Sequence, residues 1–118
     1  MSAVKNIFVN QDLDSDFETD VQETSTNANI SVVVKWTDLA NADADTKMSL
    51  QINNVADPVD GGWQDYSPDT NFVLSNGAGT DGFEGLMPFP FWRLKYVKSS
   101  ASAGSSDANL SKKETIYQ

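Results

Sequence analysis

The run Phe91-Trp92-Arg93-Leu94-Lys95-Tyr96-Val97-Lys98 alternates with a period of two, and the rest of the chain has to be laid against it. Successive side chains of an extended strand point to opposite faces. Trp92, Leu94 and Tyr96 therefore share one face, with Arg93, Lys95 and Val97 on the other. Pro88 and Pro90 stand just upstream. Proline has no backbone N–H to donate and biases the residue before it away from helix, so the chain arrives extended and the strand starts at about Phe91. The same alternation recurs at Ile30, Val32, Val34 and Trp36, and again at Met48, Leu50 and Ile52 with Lys47, Ser49 and Gln51 facing out. Strands over 30–37 and 46–53 are expected to pair antiparallel.

The remaining segments follow the same rhythm. Residues 3–9 are β-branched and aromatic and predict a first strand or an extended arm, with residues 1–10 as the candidate N-terminal arm. From Asp12 to Glu23, acids at 12, 14, 16, 18 and 20 alternate with Leu13, Phe17 and Val21, which makes a charged outside and a part-apolar inside and would guard a sheet edge. Short strands are predicted at 63–66, 71–75 and 107–113, the last with Ala108 and Leu110 inward and running on towards Tyr117, while Phe83–Met87 leads into the Pro88–Pro90 rim. Loops are predicted at 38–45, 57–62, 76–82 and 99–106. Short strands with turn signals between them and no helical period predict one all-β domain over residues 1–118, an antiparallel, jelly-roll-like β-sandwich.

Composition narrows the chemistry. The chain has no His and no Cys, which removes the usual base near neutral pH, the Ser/His and Cys/His dyads, disulfides and thiolate metal sites. A non-enzymatic protein is expected. The net charge of -9, from 17 acids against 8 bases, opposes binding to nucleic acid or an anionic membrane. No apolar run is long enough to span a bilayer, and Met1–Lys5 does not start a signal-peptide core.

Several motifs carry less than they promise. Gly77-Ala78-Gly79-Thr80-Asp81-Gly82 fits a dinucleotide-binding glycine pattern, but Gly85, Pro88 and Pro90 forbid the helix that such a site needs. Asp12, Asp14, Asp16, Glu18, Asp20 and Glu23 fall at the ligand spacing of a calcium loop, with Phe17 where that loop needs glycine. No cofactor is expected. Calcium held by these acids, or by Asp43 and Asp45, is the one alternative, which chelation would test. Trp36 and Trp92 lie at core positions, whereas Trp63 stands beside turn residues. With Tyr66 it is the candidate ligand-binding pair, because aromatic rings stack on sugar faces.

Val32-Val33-Val34-Lys35-Trp36-Thr37, Ser49-Leu50-Gln51-Ile52-Asn53, Gly61-Gly62-Trp63-Gln64-Asp65-Tyr66, Pro88 to Tyr96, and Asn109-Leu110-Ser111 follow one another in an order that resembles small β-sandwich proteins of tailed bacteriophage virions. The resemblance covers roughly residues 30–112 and is a pattern of core and turn positions. It implies a structural virion role: a capsid decoration, head-fibre or tail accessory protein, made in the host cytoplasm. The implied partners are the major capsid protein or other virion proteins, with a homo-oligomer, most simply a trimer. Candidate partner-binding residues are Val4, Ile7 and Phe8 on the arm, which would add a strand to a partner's sheet, and Arg93, Lys95 and Lys113. The base gathered at 93–113 and the acids at 12–23 are expected to join neighbouring subunits or to dock onto the shell. The alternative is a carbohydrate-binding or host-attachment module using Trp63 and Tyr66.

Overall fold

The computed structural model describes residues 3–24, 28–55, 62–66 and 72–113. All the regular structure among them is strand: β1 (Ala3–Asp12), β2 (Phe17–Glu18), β3 (Gln22–Glu23), β4 (Ala28–Ala40), β5 (Lys47–Asn53), β6 (Gln64–Asp65), β7 (Phe72–Val73), β8 (Gly77–Met87), β9 (Phe91–Val97) and β10 (Ala103–Lys113). The first sheet has the order β1-β10-β4-β8. The second has the order β2-β9-β5-β6, with β3 also on β9 and β7 also on β5. Every pairing is antiparallel. Because β2 and β3 share one place, and β6 and β7 another, the chain fills eight strand positions. The first pairs with the last, the second with the seventh, the third with the sixth and the fourth with the fifth. That is a long antiparallel ribbon folded into two facing sheets, so the architecture is an antiparallel β-sandwich.

The core lies between the sheets. Ile30, Val32, Val34 and Trp36 of β4, Ala108 and Leu110 of β10, Met48, Leu50 and Ile52 of β5, and Trp92, Leu94 and Tyr96 of β9 are all buried, as the period-two reading predicts. Removing a ring such as that of Trp92 from a packed core costs about 3–5 kcal/mol. The polar atoms of the buried aromatics are satisfied. Trp36 Nε1–H donates to Ser75 O (2.9 Å), Trp92 Nε1–H to Thr24 Oγ1 (3.2 Å) and the Tyr96 hydroxyl to Leu13 O (2.8 Å). Each flank of the sandwich is closed by side chains. On one side Phe8 packs edge-on against Phe17 (5.4 Å) and Lys5 Nζ donates to Gln22 Oε1 (3.2 Å). On the other, Tyr66 packs edge-on against Phe83 (5.9 Å) and donates its hydroxyl to Leu86 O (2.9 Å).

The structure resolves or departs from the sequence reading at several points. Strands 30–37 and 46–53 do not pair; β4 lies between β10 and β8, whereas β5 lies between β9 and the β6/β7 position of the opposite sheet. Residues 77–82, read as loop, form the first half of β8, because pairing to β4 satisfies a backbone that glycine-rich sequence leaves conformationally free. The hairpin loop predicted at 99–106 ends at Ser102, where β10 begins. Gly104 at φ 115° sits in its opening bulge. Of the two readings of the N-terminal stretch the structure takes the first strand: from Ala3 onward it is β1, registered on β10. Finally, Leu13 is buried and Phe17 half-buried, but Val21 is exposed and Gln22 buried. The register on β9 moves from Phe17↔Tyr96 to Gln22↔Trp92, one residue out of step, and a one-residue slip turns every following side chain to the other face. Residues 57–61 of the turn predicted at 57–62, Tyr117 and the Lys113 side chain lie outside the described residues.

Gly79 lies opposite Trp36, and a Cβ there would run into the indole ring, which is itself held by the bond to Ser75. Gly79→Ala is expected to destabilise the fold by about 1–3 kcal/mol in urea unfolding. Burial, reinforced by the charges of Asp16 and Asp14, pushes the Tyr96 hydroxyl up to about 12. Unfolded tyrosine titrates near 10, so the native preference for the neutral phenol is fully present below about pH 10 and is lost as pH rises towards 12. Stability should fall across that window in alkaline melts, and Tyr96→Phe should flatten the fall.

Candidate functional site

The outward face of the second sheet is built around Arg93. The alternation that buries Trp92 and Leu94 places Arg93 on the opposite face of β9, beside Gln51 of β5 with which it is registered. Its guanidinium reaches both ways. Arg93 Nε–H donates to Gln51 Oε1 (2.9 Å), and Nη1–H donates to Glu18 Oε2 of β2 at 2.9 Å. The Arg93 guanidinium carbon lies 4.7 Å from the Trp63 ring centroid, at the approach to β6. One side chain therefore ties both edges of the sheet to its middle.

The strengths of these contacts differ. Glu18 is half-exposed and Arg93 only 16% exposed, so the ion pair itself is worth no more than about 1 kcal/mol. Gln51 is buried, and leaving its amide oxygen without a donor costs about 1–3 kcal/mol. Stacking of a guanidinium on an indole adds about 0.5–2 kcal/mol, more as water is excluded. Lys95, opposite Glu18 on the same strand, gives the patch a second cation. The arrangement is a neutralised cation clamped by an aromatic ring, an amide and a carboxylate, and it positions no nucleophile beside a base.

Trp63 and Tyr66 are three residues apart, an odd spacing that turns them to opposite faces of the sheet. Tyr66 N–H donates to Leu50 O (2.8 Å), and the ring packs inward against Phe83 and Phe89, the latter at 5.7 Å. Trp63 lies outside against Arg93. The pair forms no shared platform for a sugar. On β1, Val4 is 71% exposed while Ile7 and Phe8 pack against the core, so these three do not present one surface.

The register of β2 and β3 on β9 brings part of the acidic segment 12–23 beside the basic strand within one chain. One opposite-charge pair forms there, Glu18 with Arg93; beside it the Lys98 backbone N–H donates to Asp16 Oδ1 (2.8 Å) and Lys98 Nζ donates to the Asp14 backbone carbonyl (3.1 Å). An open groove of about 520 Å³ runs along Asp14, Ser15, Asp16, Lys98 and Ser99. The calcium-loop spacing thus falls on a strand edge, without flanking helices. Asp43 accepts the hydroxyls of Ser99 and Ser100 (both 2.9 Å) and the Asp45 N–H (2.9 Å), bonds that hold its carboxyl below the usual range. Among the described residues no three acidic side chains converge as metal ligands, and no helix is long and apolar enough to cross a membrane.

Gln51 and Glu18 are the members of the site that sequence reasoning missed. Gln51 was legible as outward-facing, but only the β5–β9 register sets it beside Arg93. Arg93→Ala should lower stability by about 1–3 kcal/mol, mostly through the orphaned Gln51 amide, and should shift Trp63 fluorescence to the red. Arg93→Lys should recover little of either, since an ammonium lacks the planar fork. Compared with protein-family models and with curated protein sequences, the chain has no significant match.

Proposed function

We propose that this chain is a non-enzymatic structural component of a bacteriophage virion, a capsid decoration or accessory protein that assembles as a homo-oligomer on the particle. The observation that carries the reading is the contact between Trp63 and Arg93. The two most distinctive stretches of the virion-protein resemblance, 61–66 and 88–96, lie far apart in sequence and meet in space. They meet a second time, on the inner face, through Tyr66 and Phe89. The closing stretch Asn109–Ser111 pairs in turn with Ser31–Val33, at the start of the valine-rich strand. The pattern shared with those proteins is therefore a connected framework, as expected if it specifies a common fold and use.

The physical character of the surface agrees with this role. The clamp on Arg93 and the intrachain pairing of the acidic segment strengthen the sandwich and do not set up a reaction, which suits a durable accessory. The glycan-binding reading loses the paired rings on which it rested, because Tyr66 is engaged between the sheets.

Quantitative peptide mass spectrometry of purified particles tests the proposal. A copy number comparable with that of the major capsid protein is expected for a shell decoration, and a count far below it moves the protein to a vertex, fibre or tail. Absence from particles would overturn the virion role.

A further inference from the structure

We propose that copies of this chain join head to tail through the first sheet, β1 of one copy adding to the free edge of β8 of the next. The inference concerns self-assembly alone and stands independently of the virion reading. Among the described residues nothing pairs with the outer side of β1 or of β8.

The backbone groups left open on each edge can be identified. Residues of an antiparallel strand alternately face one neighbour and the other. On β8, Leu86 O accepts the Tyr66 hydroxyl and Gly82 N–H donates to Asp81 Oδ1, so the even-numbered residues face away from β4. Gly85 then bonds Ile30, Ser31 bonds Ser111, and Leu110 bonds Lys5, following the registers across the sheet. By the same alternation Val4 and Asn6 turn their N–H and C=O outward from β1.

The two open stretches match in length. On β8 the Asp81 carboxylate closes the edge at Gly82, leaving Glu84 to Leu86; on β1 the register shift after Asn6 ends the regular edge, leaving Val4 to Asn6. Bulges and capping groups of this kind block strand addition where they occur. The four strands of the sheet alternate in direction, so β1 of an identically oriented copy runs antiparallel to β8. With Val4 opposite Leu86 and Asn6 opposite Glu84, two exposed apolar side chains, 71% and 47% accessible, cover one another on the same face. The Leu86 carbonyl has a second lone pair for the incoming N–H.

Two-fold pairings are poorer. Joining β1 to β1 across the same stretch sets Lys5 against its own copy. Joining β8 to β8 sets Glu84 against Glu84, or else against Leu86. Charge and apolar pairing therefore select the heterologous contact, which closes into a ring or runs on as a filament according to its rotation.

The absence of cysteine makes a clean test possible. Within one chain Val4 and Leu86 are three strand spacings apart, about 14 Å, beyond the reach of a disulfide. Purified Val4→Cys and Leu86→Cys variants, both changed at exposed sites, are mixed and mildly oxidised, then run on non-reducing gels. A covalent pair forming in the mixture and not with either variant alone is expected, and the double variant should give a reducible ladder of multimers. No enrichment of cross-linked product in the mixture would overturn the contact. Equally efficient dimerisation of Val4→Cys by itself would replace it with β1–β1 pairing.

Discussion

The fold rests on the burial of two alternating strand faces against each other. β4 and β9 occupy interior positions in opposite sheets, and each presents a continuous row of large side chains to the gap between them: Ile30, Val32, Val34 and Trp36 from one, Trp92, Leu94 and Tyr96 from the other. Apolar area withdrawn from water is the main favourable term in folding such a chain. The surrounding segments supply partners for the polar atoms of the buried Trp36, Trp92 and Tyr96. Thr24 exists in this structure chiefly as the acceptor for Trp92, and Leu13 O as the acceptor for Tyr96. Segments on the rim are thereby pinned by atoms of the centre.

The folded ribbon also explains why so many side chains near the edges act as straps. A sandwich leaves its two flanks open, and here Phe8 with Phe17, Lys5 with Gln22, and Tyr66 with Phe83 and Leu86 close them. Arg93 performs the corresponding task across the outer surface of the second sheet, where β2, β3, β6 and β7 are each only two residues long. Such short strands add few ladder bonds, so the lateral reach of one guanidinium has more effect than it would beside long neighbours. The result is a rigid body whose distinctive polar residues are occupied internally.

The sequence by itself determined which residues face inward along 30–36, 48–52, 91–97 and 108–110, because period-two burial is a local property of extended backbone and does not depend on which strand is the neighbour. It also determined that Trp36 and Trp92 are core, and that the chain is all-β. Only the tertiary structure decided pairing, and with it the site. That β4 and β5 belong to different sheets follows from long-range closure, since the partner of each strand lies many residues away and several alternating strands fit equally well by pattern. The one-residue slip between β2 and β3 exchanges Val21 for Gln22, and nothing in the alternation of Asp12 to Glu23 marks it. The glycines of 77–82 are compatible with loop or strand until β4 supplies the missing hydrogen bonds. Arg93 was visible as an outward cation, but its partners Glu18, Gln51 and Trp63 come from three segments that are neighbours only through register. Chemistry carried by one strand was readable from its residues; chemistry shared between strands required the pairing, a free-energy decision of the whole chain.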